Sequence, residues 1–292
     1  MFARPTLLGA HVSTAGGIHL APERGARIDA NVIQIFTKQV NRWAEPEIEP
    51  DIAAAFREAV RVHGIKVAGS HDSYLINLAS PDSKLRSRSQ QSFRRELERC
   101  RALELDFLVT HPGNATDGNR VAGLRRNAGA ISRTLDEVDG GTAVLLEATA
   151  GQGTSLAHRF EELADLLELV GAQHQARLGV CLDTAHLFAA GHDLVDDYDG
   201  VMSELERIVG LARIGLFHLN DSKTACGSRV DRHEHIGRGT LGSLPFRRLM
   251  HDSRFVDIPK LIETPKGDDP DGADRRNLQR LRRYRPVVSR RA

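Results

Sequence analysis

Six segments that read as buried strands end on a side chain able to hold a proton or a metal ion. VAGSH ends on His71, FLVTH on His111, AVLLE on Glu147, LGVCLD on Asp183, GLFH on His218 and KLIE on Glu263. Any one of these alone reads as a hydrogen-bonded loop anchor. Six in succession, each after an apolar run, would bury charge at a cost of several kcal/mol unless something paired with it. A cation removes that cost. Imidazole and carboxylate donors without thiolate fit Zn²⁺ in a hydrolytic site, or Mn²⁺ or Fe²⁺, better than a cysteine-rich structural cage. Three histidines and three acids exceed the needs of one tetrahedral ion and suit two ions about 3.5–4 Å apart. Glu147, central in the order of strands, is the candidate bridge between them.

A second group follows the same logic. In LDTAHLFAAGHD, His186 lies three residues beyond Asp183, so both can face one opening. The stretch RVDRHEHIGRG carries Asp231 and His233 in a polar, glycine-ended segment where no apolar pattern predicts a strand or a helix. Asp231 and His233 could swing over the same opening and complete a third site with His186. A solvated D-x-H loop is the competing reading.

Positioning these side chains requires a frame. Eight short β-rich runs recur, LLGAHV, NVIQIF, KVAGSH, DFLVTH, TAVLLE, RLGVCLD, RIGLFHL and IPKLIE, each the size of a buried strand. Amphipathic stretches lie between them, including DIAAAFREAVRVHG, SQQSFRRELERCRAL, RRNAGAISRTLDEVDG and LAHRFEELADLLELVG. About eight strand–helix units within 292 residues predict an α/β fold closed as a single (β/α)8 TIM barrel. No G-x-G-x-x-G follows the first run, against a dinucleotide fold. In a barrel, the carboxyl ends of the strands converge on one mouth, where active sites of this fold are built. One domain over 1–292 is expected, with a basic C-terminal tail from about Arg275 to Ala292 read as a solvated last helix and terminus.

Composition bounds the rest. Hydrophobic residues make up 40% and charged residues 27%, the balance of a folded globular chain. No long apolar run predicts a membrane span, and MFARPTLLGAHVS lacks the pattern of a secretory signal, so a cytoplasmic protein with no membrane partner is expected. Cys100, Cys181 and Cys226 form no C-x-x-C and read as reduced structural thiols. The net charge of +1 makes no electrostatic case for nucleic-acid binding, although a local patch would suffice.

With these residues assembled, the chain resembles endonuclease IV, a family of trinuclear zinc apurinic/apyrimidinic endonucleases of base excision repair. The resemblance runs through GAHVSTAGGI, NVIQIFTK, SHDSYLINLAS, VTHPG, LLEATAGQG, CLDTAHLFAAGHD, FHLNDSK, DRHEHIGRG and LIETPKG, in order over most of the chain. It implies three Zn²⁺ per chain. His71 and His111 would hold one, Asp183, His218 and Glu263 a second, with Glu147 bridging these two, and His186, Asp231 and His233 the third. It further implies Glu147 and Glu263 as the catalytic carboxylates, which position metals and nucleophile, and duplex DNA with abasic sites as the partner. Tyr74, Leu75 and Asn77 match a loop that enters the minor groove and fills the gap left by the missing base. Asn41 stands where some relatives carry a basic wedge, with Arg42 beside it, and Arg232 could meet a phosphate. Hydrolysis 5′ of the abasic site, leaving a 3′-hydroxyl, is the implied reaction, and a monomer is expected because the mouth must accept a duplex. End-cleaning activity on 3′ termini could accompany it.

Two rival readings remain at this point. A barrel sugar isomerase or epimerase shares strand-end carboxylates and histidines but has no use for a third site. A silent metal or nucleic-acid binding module would have no need to keep every ligand position filled.

Overall fold

A computed structural model describes residues 6–284. Its strands are β1 (Leu8–His11), β2 (Val32–Ile35), β3 (Val67–His71), β4 (Phe107–Thr110), β5 (Ala143–Glu147), β6 (Leu178–Asp183), β7 (Ile214–His218), β8 (Asp221–Ser222), β9 (His233–Glu234) and β10 (Lys260–Ile262). Eight of them close into a parallel barrel in the order β1-β10-β7-β6-β5-β4-β3-β2, as the strand–helix count predicts. The remaining two, β8 and β9, form a short antiparallel ladder pairing Ser222 with His233. This corrects the expectation that the segment after Arg229 lacks regular structure: backbone pairing to β8, rather than an apolar pattern, holds it.

The helices are α1 (Ala21–Arg27), α2 (Pro50–Val62), α3 (Ser83–Leu103), α4 (Arg120–Glu137), α5 (Phe160–Val170), α6 (Thr184–Ala190), α7 (Tyr198–Ile208), α8 (Leu244–His251) and α9 (Pro270–Arg283). Local chemistry sets their ends. Asp82 caps α3 by accepting from the N–H groups of Lys84 and Leu85 at 2.8 and 3.1 Å, so the helix begins six residues before the apolar pattern does. Conversely, α5 starts at Phe160, and 156–159 belong to the preceding loop because Glu162 turns back to accept the Ala157 N–H at 2.7 Å.

Alternation along the strands builds two cores. Outward residues such as Ile33, Ile35, Leu108, Val144, Leu146, Val180 and Leu182 pack beneath the helices with Phe56, Phe93, Leu97 and Leu163. Inward residues Val32, Phe107, Val109, Leu145, Cys181, Leu216 and Leu261 form a separate plug inside the barrel. Gly69 makes room for it, since a Cβ there would lie 2.2 Å from the Phe107 ring. Cys100 and Cys181 are buried, in keeping with a structural reading, whereas Cys226 is exposed and plays no part in either core. No helix among the described residues is long and apolar enough to cross a membrane. Of the basic tail, Arg275–Arg283 lie in α9 and 285–292 fall outside the described residues.

Candidate metal centre at the barrel mouth

One inward step beyond the apolar plug, the same strands present His71, Glu147, Asp183 and His218, while His111 and Glu263 follow β4 and β10 directly. Period-2 alternation aims all six at one mouth. Glu147, fully buried, lies at their centre. Its Oε2 is 3.1 Å from His71 Nε2 and 3.0 Å from His111 Nε2, and its Oε1 is 3.0 Å from His218 Nδ1. His218 Nδ1 is also 3.2 Å from Glu263 Oε2 and 4.0 Å from Asp183 Oδ2. Glu147, the candidate bridge, thus lies within reach of histidines from both groups.

The third group also converges. Asp183 caps α6, its Oδ1 accepting from the Ala185 and His186 N–H groups at 2.7 and 3.0 Å, and this places His186 on the mouth. His186 Nε2 lies 3.2 Å from Asp231 Oδ2, and His233 Nε2 lies 3.3 Å from Asp231 Oδ1. Asp183 Oδ2 is 3.5 Å from His233 Nε2, so this carboxylate faces both the second and the third group. The ladder with β8 brings His233 here, and Gln152 fixes the neighbouring residue by accepting the Asp231 N–H at 3.2 Å.

The donor set fits a metal in a way that a salt-bridge cluster alone does not require. Each of four imidazoles commits one nitrogen to an acceptor and turns the other inward. His71 Nδ1 donates to the Asp72 carbonyl at 2.9 Å, His186 Nδ1 to the Ala148 carbonyl at 2.9 Å, and His218 Nε2 to Gln34 Oε1 at 3.0 Å. His233 Nδ1 reaches the Glu263 carbonyl at 3.4 Å. A carbonyl accepts only from N–H, so the inward nitrogen of the neutral ring carries a lone pair, the arrangement by which proteins orient metal-binding histidines. His233 Nε2 is buried and has no hydrogen-bond partner. An orphaned acceptor between two carboxylates is explained by a cation between them.

Electrostatics agree. Burial by itself drives an imidazole neutral, but the hydrogen bond and charge of Glu147 overcome it at His71 and push its pKa up to about 10. Burial is likewise outweighed at His186 and His218, and both are raised by the acids around them. Burial favours protonated carboxylates, yet His218 and His111 hold Glu147 well below its usual range, and His186 and His233 bring Asp231 down to about 2. The same close contacts between acids and imidazoles make metal binding dependent on pH, because a cation and a proton compete for the inward nitrogens.

Two members of the mouth escape the strand-end reading. His11 ends β1, with Nδ1 3.4 Å from Glu263 Oε1, and Gln34 on β2 donates to that oxygen at 2.7 Å while accepting from His218. His11 occupies the same position in LGAH that His71 occupies in VAGSH, a signal present in the sequence. Gln34 is hidden inside the apolar run VIQIF. Asn220 joins them, donating to Asp183 Oδ2 at 2.7 Å and accepting from the Glu263 N–H at 2.8 Å.

The remaining candidates lie around the rim. Tyr74 is 68% exposed, which removes it from the core, and its ring stands 5.7 Å from Phe36 and 6.1 Å from His71. Leu75 beside it is half-buried. Asn77 ties the loops after β3 and β4 together, donating to the Asn114 carbonyl at 3.1 Å and accepting the Asn114 N–H at 2.9 Å. Both atoms of its amide take part in this tie. Asn41 and Arg42 are exposed on the loop after β2, and Arg232 is exposed with Nη1 donating to the Asp231 carbonyl at 2.7 Å.

Comparison with known proteins adds an independent line. Residues 22–284 match the family described as xylose isomerase-like TIM barrels. The chain is 50% identical over 277 residues to a probable endonuclease 4 of Chloroflexus aurantiacus, covering 94% of this chain and 96% of that protein. It is 50% identical over 279 residues to a probable endonuclease 4 of Geobacter sulfurreducens, covering 94% and 93%. The solved endonuclease IV of Thermus thermophilus superposes with a TM-score of 0.84 at 34% identity, over 96% of this chain and 98% of the other. A D-allulose 3-epimerase of a Methylomonas species, at 16% identity and a TM-score of 0.67 over 96% and 98%, shares the fold alone.

Proposed function

The chain belongs to the endonuclease IV family of xylose isomerase-like TIM barrels, and on that premise we propose that it hydrolyses the phosphodiester on the 5′ side of abasic sites in duplex DNA, leaving a 3′-hydroxyl for repair synthesis. It is an endonuclease, and a metal-dependent one. The observation that carries the reading is the union of all nine ligand-type side chains at one mouth, including the His186, Asp231 and His233 group that a sugar isomerase does not need.

His71 and His111 would hold one Zn²⁺, Asp183, His218 and Glu263 a second, with Glu147 between them, and His186, Asp231 and His233 a third. Mn²⁺ or Fe²⁺ suits the same donors. Bound there, such ions supply Lewis acidity at phosphate oxygens and a water of lowered pKa. The chain's own part is to fix the donors. Glu147 and Glu263 position the ions and the nucleophile, His11 and Gln34 hold Glu263, and the apolar plug closes the floor of the site.

Tyr74 and Leu75 supply discrimination. A nucleotide without its base has lost stacking and pairing, so distorting the duplex there costs less than the few kcal/mol an intact nucleotide demands. An exposed aromatic beside the mouth can enter the resulting gap as a wedge. Arg42 and Arg232 add charge for the flanking phosphates, and Asn41 lies on the same exposed loop. A monomer leaves the mouth open to a duplex, and a cytoplasmic enzyme would meet its DNA there.

The test is cleavage of a duplex carrying one abasic site beside the same duplex intact, with zinc-loaded protein and product ends mapped. A nick 5′ of the abasic site only, lost on prolonged chelation, is the expected result. No cleavage by protein with confirmed metal content overturns the reading. Glu263→Gln should lose cleavage while still binding DNA, and Tyr74→Ala with Leu75→Ala should narrow the difference in affinity between abasic and intact duplexes.

A further inference from the structure

The sequence singles out an arginine-rich last helix that the site does not use. In α9 the arginines fall on two faces. Arg275 Nη2 donates to the Arg27 carbonyl at 2.7 Å and Arg282 to the Asp29 carbonyl, which ties one face to the turn after α1. The helix's acids belong to that side as well: Asp271 pairs with Arg27 at 3.4 Å, and Asp274 with Lys266 at 2.7 Å. Arg276, Arg280 and Arg283, at spacings of four and three, share the other face.

That second face forms a wall of a pocket of about 240 Å³, and Arg238 of the loop after β9 lines it with them. Arg238, Arg276 and Arg283 are exposed, and among the described residues neither Arg238 nor Arg283 pairs with a carboxylate. Arg276 has only Asp269 at 3.3 Å, both two-thirds exposed, a pair worth little in water. Four arginines thus line one pocket with a single exposed ion pair among them, Arg280 being held by the Ile236 carbonyl, an arrangement that favours an anion. Two residues of the pocket also belong to or touch segments that carry mouth residues. Its wall includes His235, two residues from His233, and Asn277, which donates to Thr264 Oγ1 at 2.9 Å, next to Glu263.

We propose that this pocket binds the phosphodiester backbone of the duplex flanking the lesion and extends the DNA footprint from the mouth along α9. The inference rests on the endonuclease reading. Seven residues from Arg276 to Arg283 span about 10.5 Å of helix. One strand presents a charge about every 3.4 Å of duplex axis, so the face covers roughly three phosphates.

The decisive experiment compares two abasic duplexes, one covering only the mouth and one extended by about 10 base pairs, one helical turn, on each side. Binding is followed by fluorescence anisotropy against salt, and cleavage in parallel. In R276A/R283A the affinity advantage of the long duplex over the short one should fall on the order of tenfold, with a salt dependence shallower by about 2 in log–log slope. KM for the long duplex should rise while kcat stays constant, and R276K/R283K should recover most of the loss. An unchanged advantage, or competition by inorganic phosphate that is the same for short and long duplexes, overturns the proposal. Binding of intact long and short duplexes gives the same comparison without cleavage. If the wild type cuts no abasic duplex, the endonuclease reading falls while the length-dependent binding still decides the role of the pocket.

Discussion

Inside the lower barrel, Val32, Phe107, Val109, Leu145, Cys181, Leu216 and Leu261 pack on one another. One inward step along the same strands they give way to Gln34, His111, Glu147, Asp183, His218 and Glu263. The two layers share backbone direction and register, and Gln34, Glu147, Asp183 and His218 are as buried as the plug while His111 and Glu263 are partly open, so the layers differ chiefly in side-chain chemistry. Barrel closure therefore does not call for the mouth's ions and amides. Buried ion clusters are commonly replaceable by apolar packing at no cost in stability. What keeps them here is the work done at the mouth, and the two layers should fail in different ways when cut.

The sharpest break is expected at Glu147→Gln. This removes charge from the one carboxylate that touches His71, His111 and His218, and cleavage should drop by on the order of 10²–10³-fold or more. Metal content measured on the purified variant should fall with it. One layer below, Leu145→Ala should cost about 2–5 kcal/mol in a urea titration. Its metal stoichiometry should be unchanged. Full activity in Glu147→Gln, or loss of metal in a Leu145→Ala protein of undiminished stability, would erase the distinction between plug and mouth.

A smaller effect should come from the residues that hold ligands without being in the ligand set. His11→Ala or Gln34→Ala leaves Glu263 and His218 in place but frees their orientation. A loss of about 10–100-fold in metal affinity or activity is expected, as for other orienting partners of metal ligands. Competition with a chelator of known affinity measures it. Variants indistinguishable from wild type would show that packing alone orients Glu263.

How much of this was legible in the sequence follows from the same two layers. Each apolar run with an ionisable terminus encodes a plug residue, an outward residue and a mouth residue, so the barrel and six of the ligand candidates could be read from local pattern, while His186, Asp231 and His233 came from spacing and from the family resemblance. His11 could have been read by that rule. Gln34 could not, because an amide within an apolar run carries no charge to mark it, and its role exists only where His218 and Glu263 meet across the barrel. The β8–β9 ladder was equally hidden, since two-residue strands have no periodicity and are set by which loops the barrel brings together. Asn77 illustrates a further limit: the resemblance marks its loop as one that meets DNA, whereas the tie between that loop and Asn114, 37 positions away, appears only in the folded chain.

The smallest expected effect tests whether the mouth is braced from outside the barrel. Glu162 of α5 accepts from Arg120 Nε at 2.5 Å and Nη2 at 2.7 Å and from the Ala157 N–H, and Arg120 also donates to the Ser155 carbonyl at 3.0 Å. These bonds fold the loop that carries Gln152, the residue accepting the Asp231 N–H. Burial favours the protonated carboxyl, but the Arg120 guanidinium outweighs it and holds Glu162 below its usual pKa. A depressed folded pKa contributes stability that is present above the unfolded value of about 4.3 and is lost as pH falls through the folded one. Glu162→Gln should therefore cost about 1–2 kcal/mol at neutral pH, and the gap to wild type should close as the solution is acidified below the ordinary glutamate range. Urea midpoints at neutral and acid pH measure it. A gap that is constant with pH would mean that the loop is held by packing, and that the third group of ligands at the mouth owes nothing to this ion pair.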